Sequence, residues 1–191
     1  MKIVLASNSP RRREILSNIG LDFDVIPSNI AEETKEEEPE NIVMDLSRKK
    51  ALCVAEKLDD DSIVIGADTV VVIDGEILGK PKDKGEAFSM LRKLSGRWHK
   101  VYTGVSVVSL RNRKLINDYE STDVYIKNLS DDMILNYIEK GECLDKAGSY
   151  AIQGYGSLIV ERINGDYFNV VGLPISKLYD IFLNEFNINL L

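Results

Sequence analysis

The 191-residue chain has a single histidine, His99, and only two cysteines, Cys53 and Cys143. One histidine excludes a His-rich or Cys/His metal cluster, and any Ser-His-Asp triad would depend wholly on that side chain. The cysteines are too few and too distant in sequence for a disulfide framework or a zinc site, and both read as packing residues. No apolar stretch approaches the roughly 20 residues that cross a bilayer, and no signal-peptide cleavage pattern opens the chain. No membrane partner and a cytoplasmic location are therefore expected. Basic residues are also scarce, 24 against 31 acidic, for a net charge of -7. That balance argues against stable nucleic-acid binding, so any polyanion is expected to be small and locally gripped. Repeats, low-complexity tracts and linkers are absent, which leaves one domain over residues 1–191.

What is present alternates between strand and helix signals. Lys2 to Ala6 reads as a strand, followed by a helix from Pro10 to Ile19 with Ser9 as N-cap and Gly20 as its stop. Asp22 to Ile30 alternates like a short strand, and Glu32 to Glu40 is an acidic loop broken by Pro39. From Glu40 to Leu58, apolar residues recur at helical spacing, and Lys50 falls close to the buried stripe, where it either snorkels or reaches an anion. Ser62 to Gly66 reads as a buried strand ending at Ala67-Asp68-Thr69. Val70 to Ile73 and Glu76 to Leu78 flank an Asp74-Gly75 hairpin turn. Asp83 and Glu86 start a helix through Leu94, and Trp98 to Leu110 pairs antiparallel with Leu115 to Lys127. Ser130 caps a helix to Lys140, Ser157 to Ile163 precedes an Asn164-Gly165 hairpin signal, and Pro174 to Phe186 is the last helix. The fold class expected is mixed α/β on one continuous sheet.

Four places carry chemistry. Ser7-Asn8-Ser9-Pro10-Arg11-Arg12-Arg13 puts forked cations and helix N-terminal amides at one strand-to-helix junction, a combination suited to phosphate. Asp68 is a carboxylate at a strand end, able to order a divalent cation, accept a proton from water, or simply bond turn amides. Lys80 and the stretch from Lys146 to Gly154 complete the polar points. Gly75 to Pro81 is not a Walker A loop, since its glycine spacing is short by one and Pro81 stands where a magnesium-binding hydroxyl is needed. His99, within a strand, suits a structural or substrate-edge role, and no nucleophile elbow accompanies it.

Leu5 to Arg12, Ser47 to Ala51, Gly66 to Val71, Gly79-Lys80-Pro81, Asp145 to Gly154 and Asn169 to Pro174 together resemble the Maf family, also described as septum formation inhibitors. Their order and spacing cover nearly the whole chain. The resemblance implies a nucleoside triphosphate pyrophosphatase that cleaves between the α- and β-phosphates. It also implies a fold similar to the inosine triphosphate pyrophosphatases, an elongated sheet flanked by helices with two lobes and a central cleft, and a homodimer. By the same resemblance Asp68 is the proton acceptor. Ser7, Arg11, Arg12, Glu32, Lys50 and Lys80 are the phosphate-binding and polar cleft residues, with Glu33 an alternative to Glu32. Asp68 and Glu32 would hold a divalent metal, Mg or Mn. Arg11, Thr69 and Gln153 fall on the specificity positions and look like the branch acting on dTTP and UTP. The competing readings are a non-catalytic nucleotide-binding regulator of cell division and a pyrophosphatase for a modified or purine nucleotide.

Overall fold

The computed structural model describes residues 2–58 and 61–191. They form a mixed α/β fold built on a seven-stranded sheet. Strand β1 (Lys2–Leu5) leads through helix α1 (Pro10–Asn18) to the short strand β2 (Asp24–Val25), then through α2 (Pro39–Ala55) to β3 (Ser62–Ile73). Both crossovers join parallel strands: β1 pairs with β2 at Val4↔Asp24 and with β3 at Leu5↔Ile65. A hairpin adds β4 (Glu76–Leu78), antiparallel to β3, across a turn whose Asp74 and Gly75 have φ of 54° and 76°. Only a glycine or a short polar residue enters that region at low cost, which is why Asp-Gly marks the turn. Helix α3 (Lys84–Leu94), the long strands β5 (Trp98–Ser109) and β6 (Lys114–Ile126), helix α4 (Asp131–Glu139), β7 (Val160–Asn164), α5 (Tyr167–Val171) and α6 (Ile175–Phe186) complete the chain. The sheet order is β2-β1-β3-β5-β6-β7, with β4 attached to β3.

The chain divides into two compact units. The first comprises residues 1–68, 103–120 and 172–191, and the second residues 69–102 and 121–171. In the first, Val4, Ala6 and Val64 pack with Ala51, Val54 and Ala55 of α2. In the second, Leu91 and Leu94 of α3 and Ile134 and Ile138 of α4 share a core with Val101, Val124 and Ile126.

The sequence expectations differ from this fold at identifiable points. Asp68 does not end a strand: β3 runs unbroken through it from Ser62 to Ile73. The expected strand Asp22 to Ile30 shrinks to two residues, because Pro27 has no N–H to offer a ladder and Asn29 turns to φ 46°. Pro39 starts α2 rather than breaking a loop, as its fixed φ suits a first turn. That helix ends at Ala55 instead of Leu58, where the Lys57 and Leu58 N–H groups bond carbonyls only three residues back. Gly154–Leu158 is a 3-10 turn, so β7 begins later than expected, and Asn164-Gly165 leads into α5 rather than into a returning strand.

Candidate active site

The site in the first unit is assembled by strand register. Leu5 lies opposite Ile65, and the Ala6 N–H donates to the Ile65 carbonyl at 2.8 Å. The turn after β1 and the Asp68 segment of β3 therefore extend in the same direction from a parallel pair. Carboxyl ends of parallel strands are where α/β folds place ligand sites. Ser9 caps α1, accepting from the Arg12 N–H, and Pro10 occupies the first turn, as the sequence suggests. Ser7 Oγ accepts from Arg12 Nη1 at 3.1 Å and from the Ser9 N–H at 3.2 Å. Arg12 Nε donates to the Gly172 carbonyl at 2.7 Å. Gly172, at φ 119°, thus gives a structural reason for the Asn169 to Pro174 motif. It is a turn that presents a carbonyl to a site arginine, a role the sequence pattern does not reveal. Arg11 is half-buried beside it on α1.

Lys50 resolves its two sequence readings in favour of an anionic partner. Its ammonium donates to Asp68 Oδ1 at 2.6 Å and to Glu32 Oε1 at 2.7 Å. Lys50 and Asp68 are 8% and 7% exposed, so this pair is shielded from water. Glycines let α2 come close enough. A Cβ on Gly66 would strike the Ser47 carbonyl and lie 2.8 Å from the Ala51 nitrogen, and one on Gly104 would strike the Val43 backbone. Of the two adjacent glutamates it is Glu32 whose side chain reaches Lys50, while Glu33 offers its backbone carbonyl to Lys49 at 2.9 Å.

Asp45, which the motif reading passes over, fixes this loop from α2. It accepts from Thr34 Oγ1 at 2.8 Å and pairs with Lys49 at 2.6 Å and Arg48 at 2.7 Å. Burial raises its pKa, but the bonds from Lys49, Thr34 and Arg48 outweigh burial and bring it to about 2. The D-x-x-R-K spacing of Asp45, Arg48 and Lys49 on one helix face is the signal that could have identified it.

Charge within the cluster is finely opposed. Burial raises the Asp68 carboxyl above the ordinary aspartate range, against the lowering effect of Lys50 and Arg12, and Glu32 adds to the rise. Burial likewise lowers the Arg12 guanidinium, which Asp68 and Glu32 counter. Arginine keeps its charge through such a shift. A carboxylate made more basic than usual suits proton abstraction from water. Among the described residues no group of three or more His, Cys, Asp or Glu side chains could hold a metal. Asp68 and Glu32, meeting at one ammonium, still fit a Mg²⁺-type cation, which takes one or two carboxylates and completes its shell with water and phosphate oxygens.

The remaining sequence candidates belong to the second unit. Thr69 is half-buried in β3, Lys80 is exposed after β4, and Gln153 is half-buried and caps the Gly154–Leu158 turn. The Gly148 N–H donates to the Gly79 carbonyl at 3.1 Å, tying the loop of Lys80 to that of Gln153. His99 is buried, its Nε2 2.6 Å from Tyr150 Oη. Burial lowers its pKa to about 4.

Comparison with known proteins identifies the family. The profile of the Maf-like proteins matches residues 2–185. The chain belongs to the Maf family. A relative from Thermoanaerobacter sp. (strain X514), named dTTP/UTP pyrophosphatase, is 62% identical over 191 residues, covering 100% of both chains. Another of that name, from Clostridioides difficile (strain 630), is 52% identical over 191 residues, covering 100% of this chain and 98% of its own. Among solved structures, the Staphylococcus aureus Ham1 protein aligns with a TM-score of 0.48 and 18% identity over 66% of this chain and 72% of its own. No helix among the described residues is long and apolar enough to cross a membrane.

Proposed function

We propose that this Maf protein hydrolyses dTTP and UTP to the nucleoside monophosphate and pyrophosphate. The observation that carries the reading is the buried Asp68 carboxylate, 2.6 Å from Lys50 in the same cluster as Arg12 and Glu32. A turn-bonding aspartate would have no need of such surroundings. Relatives at 62% and 52% identity that bear the name dTTP/UTP pyrophosphatase support the choice of substrate.

In this mechanism Asp68 accepts a proton from the attacking water, whose oxygen bonds to the α-phosphorus as the bond to the bridging oxygen breaks and pyrophosphate leaves. Ser7, Arg11, Arg12, Lys50 and Lys80 bind and orient the phosphates, and the cations offset the charge that develops on the leaving group. Asp68 and Glu32 would hold a divalent cation, Mg²⁺ or Mn²⁺, which supplies Lewis-acid charge neutralisation when bound. Thr69 and Gln153 read the base. The Gln153 amide offers both a donor and an acceptor to a pyrimidine edge, whereas a carboxylate there would offer acceptors alone.

Purified protein incubated with Mg²⁺ and a panel of canonical and modified triphosphates tests the reading through pyrophosphate release. The expected result is turnover of dTTP and UTP ahead of CTP and the purines. Absence of turnover on every nucleotide would leave a nucleotide-binding regulator, and preference for a purine or modified base would overturn the substrate assignment. Gln153→Glu is expected to lower the UTP to CTP ratio of kcat/KM about tenfold, because it replaces a donor and adds charge.

A further inference from the structure

The segment that carries Gln153 is clamped on both shoulders by the end of one helix. On its N-terminal side, the Ala151 N–H donates to Tyr137 Oη of α4 at 3.1 Å, and Tyr150 is held by His99 at 2.6 Å. On its C-terminal side, the Tyr155 N–H donates to the Glu142 carboxylate, at 3.0 Å from Oε2 and 3.3 Å from Oε1. Glu142 follows directly on Gly141, whose φ of 77° turns the chain out of α4. The loop also closes on itself. A Cβ on Gly156 would lie 2.7 Å from the Ala151 carbonyl carbon, and one on Gly154, at φ 60°, would collide with the Glu142 carboxylate. Lys140 adds a cation over the Tyr155 ring, 5.0 Å from its centroid. Gln153 stands at the tip of this closed loop, and its side chain forms no capping bond there.

We propose that Glu142 is a specificity-positioning residue, whose carboxylate holds the loop that presents the Gln153 amide to the pyrimidine edge. The proposal rests on the reading of Gln153 as a base-recognition residue. A recognition amide discriminates only when its orientation is set before the substrate arrives, since a mobile loop loses freedom on binding any base and turns to suit whichever edge is offered. Tyr137 and His99 are buried and serve the core as well. Glu142 is half-buried and touches the segment through the Tyr155 N–H and the space above Gly154, so its loss acts locally.

The test compares kcat/KM for UTP and CTP in four proteins: the parent, Gln153→Glu, Glu142→Ala and Glu142→Gln. Glu142→Ala is expected to lower the UTP to CTP ratio about fivefold, the scale of one oriented hydrogen bond. Glu142→Gln keeps a carbonyl acceptor for the Tyr155 N–H and restores the ratio to within about twofold of the parent. If Glu142→Ala fails to fold, Gly154→Ala displaces the same carboxylate and is expected to lower the ratio alike. Glu142→Ala that slows both substrates equally, or leaves the ratio unchanged while Gln153→Glu shifts it, overturns the inference and leaves the base-reading assignment standing. A ratio unmoved by Gln153→Glu itself overturns that assignment and this inference with it.

Discussion

Replacing Asp68 with asparagine separates the chemistry of the site from its architecture. The amide matches the carboxylate in size, and its oxygen still accepts from the Lys50 ammonium, which also keeps its 2.7 Å bond to Glu32. What disappears is the negative charge. For stability two effects oppose each other: the charge-assisted bond weakens by about 1–2 kcal/mol, but the cost of holding a buried carboxylate, visible in its raised pKa, is relieved. The net change in unfolding free energy is therefore expected within about 1 kcal/mol. For turnover nothing compensates, since an amide neither takes a proton from water nor serves as an anionic metal ligand. Removing a general base costs about 100- to 10,000-fold, so a fall of about 1,000-fold in kcat, or about 4 kcal/mol of barrier, is the expectation. Pyrophosphate release at saturating UTP and Mg²⁺ measures the first quantity, and urea unfolding at the same pH measures the second. A folded variant with kcat within about tenfold of the parent would refute the role of Asp68 as proton acceptor.

Gly66→Ala forces a methyl group into the Ser47 carbonyl, and because backbone cannot rotate aside, a loss of about 3 kcal/mol in urea unfolding is expected, with displacement of Lys50 from Asp68. Asp45 is held near 2 against an ordinary 3.8, so its contribution is complete above pH 3.8 and lost as pH falls towards about 2. Solvent screening around the half-exposed Arg48 and Lys49 holds it to about 1 kcal/mol. Asp45→Asn should cost about that much at pH 7 and flatten the stability profile below pH 4, as read by denaturant titration across pH. His99 is depressed from 6.5 to about 4, chiefly by burial and against the raising influence of the Arg97 backbone and Asp123. A depressed histidine stabilises above its unfolded pKa. About 3 kcal/mol should therefore be lost as pH falls from about 6.5 to about 4, and the pH slope in that window should flatten in His99→Gln.

The elements legible in the sequence were those whose own residues determine them. Ser9-Pro10 marks the start of α1, Asp83 accepts from the Glu86 N–H at the start of α3, and Asp74-Gly75 turns the β3–β4 hairpin. Each is a local contract between a side chain and the nearest backbone. The errors arose where distant partners decide. Ala67-Asp68-Thr69 looks like a strand end because a buried charge is unwelcome in a strand, yet Lys50, 18 positions earlier, supplies the counter-charge that lets β3 continue. Ser157 opens onto the apolar run Leu158-Ile159-Val160, but Gly156 folds the chain against Ala151 before a strand can begin.

The same distinction governs the site. Lys50 and Asp68 could each be singled out from position alone, one on a buried helical stripe and the other after a β-branched run, but their pairing could not. It depends on the 66th and 104th residues being glycine, so that α2 lies against β3 and β5 with no side chain between. A glycine in a strand normally weakens it, through lost packing and added entropy in the unfolded chain. Here two such positions permit a close approach that carries an ammonium to a buried carboxylate. Charge pairing at that depth is costly to assemble, and an apolar replacement of equal volume would be at least as stable. Stability alone therefore does not account for Lys50, Asp68 and Glu32 being brought to one point. The proposed holding of phosphates and activation of water does require them.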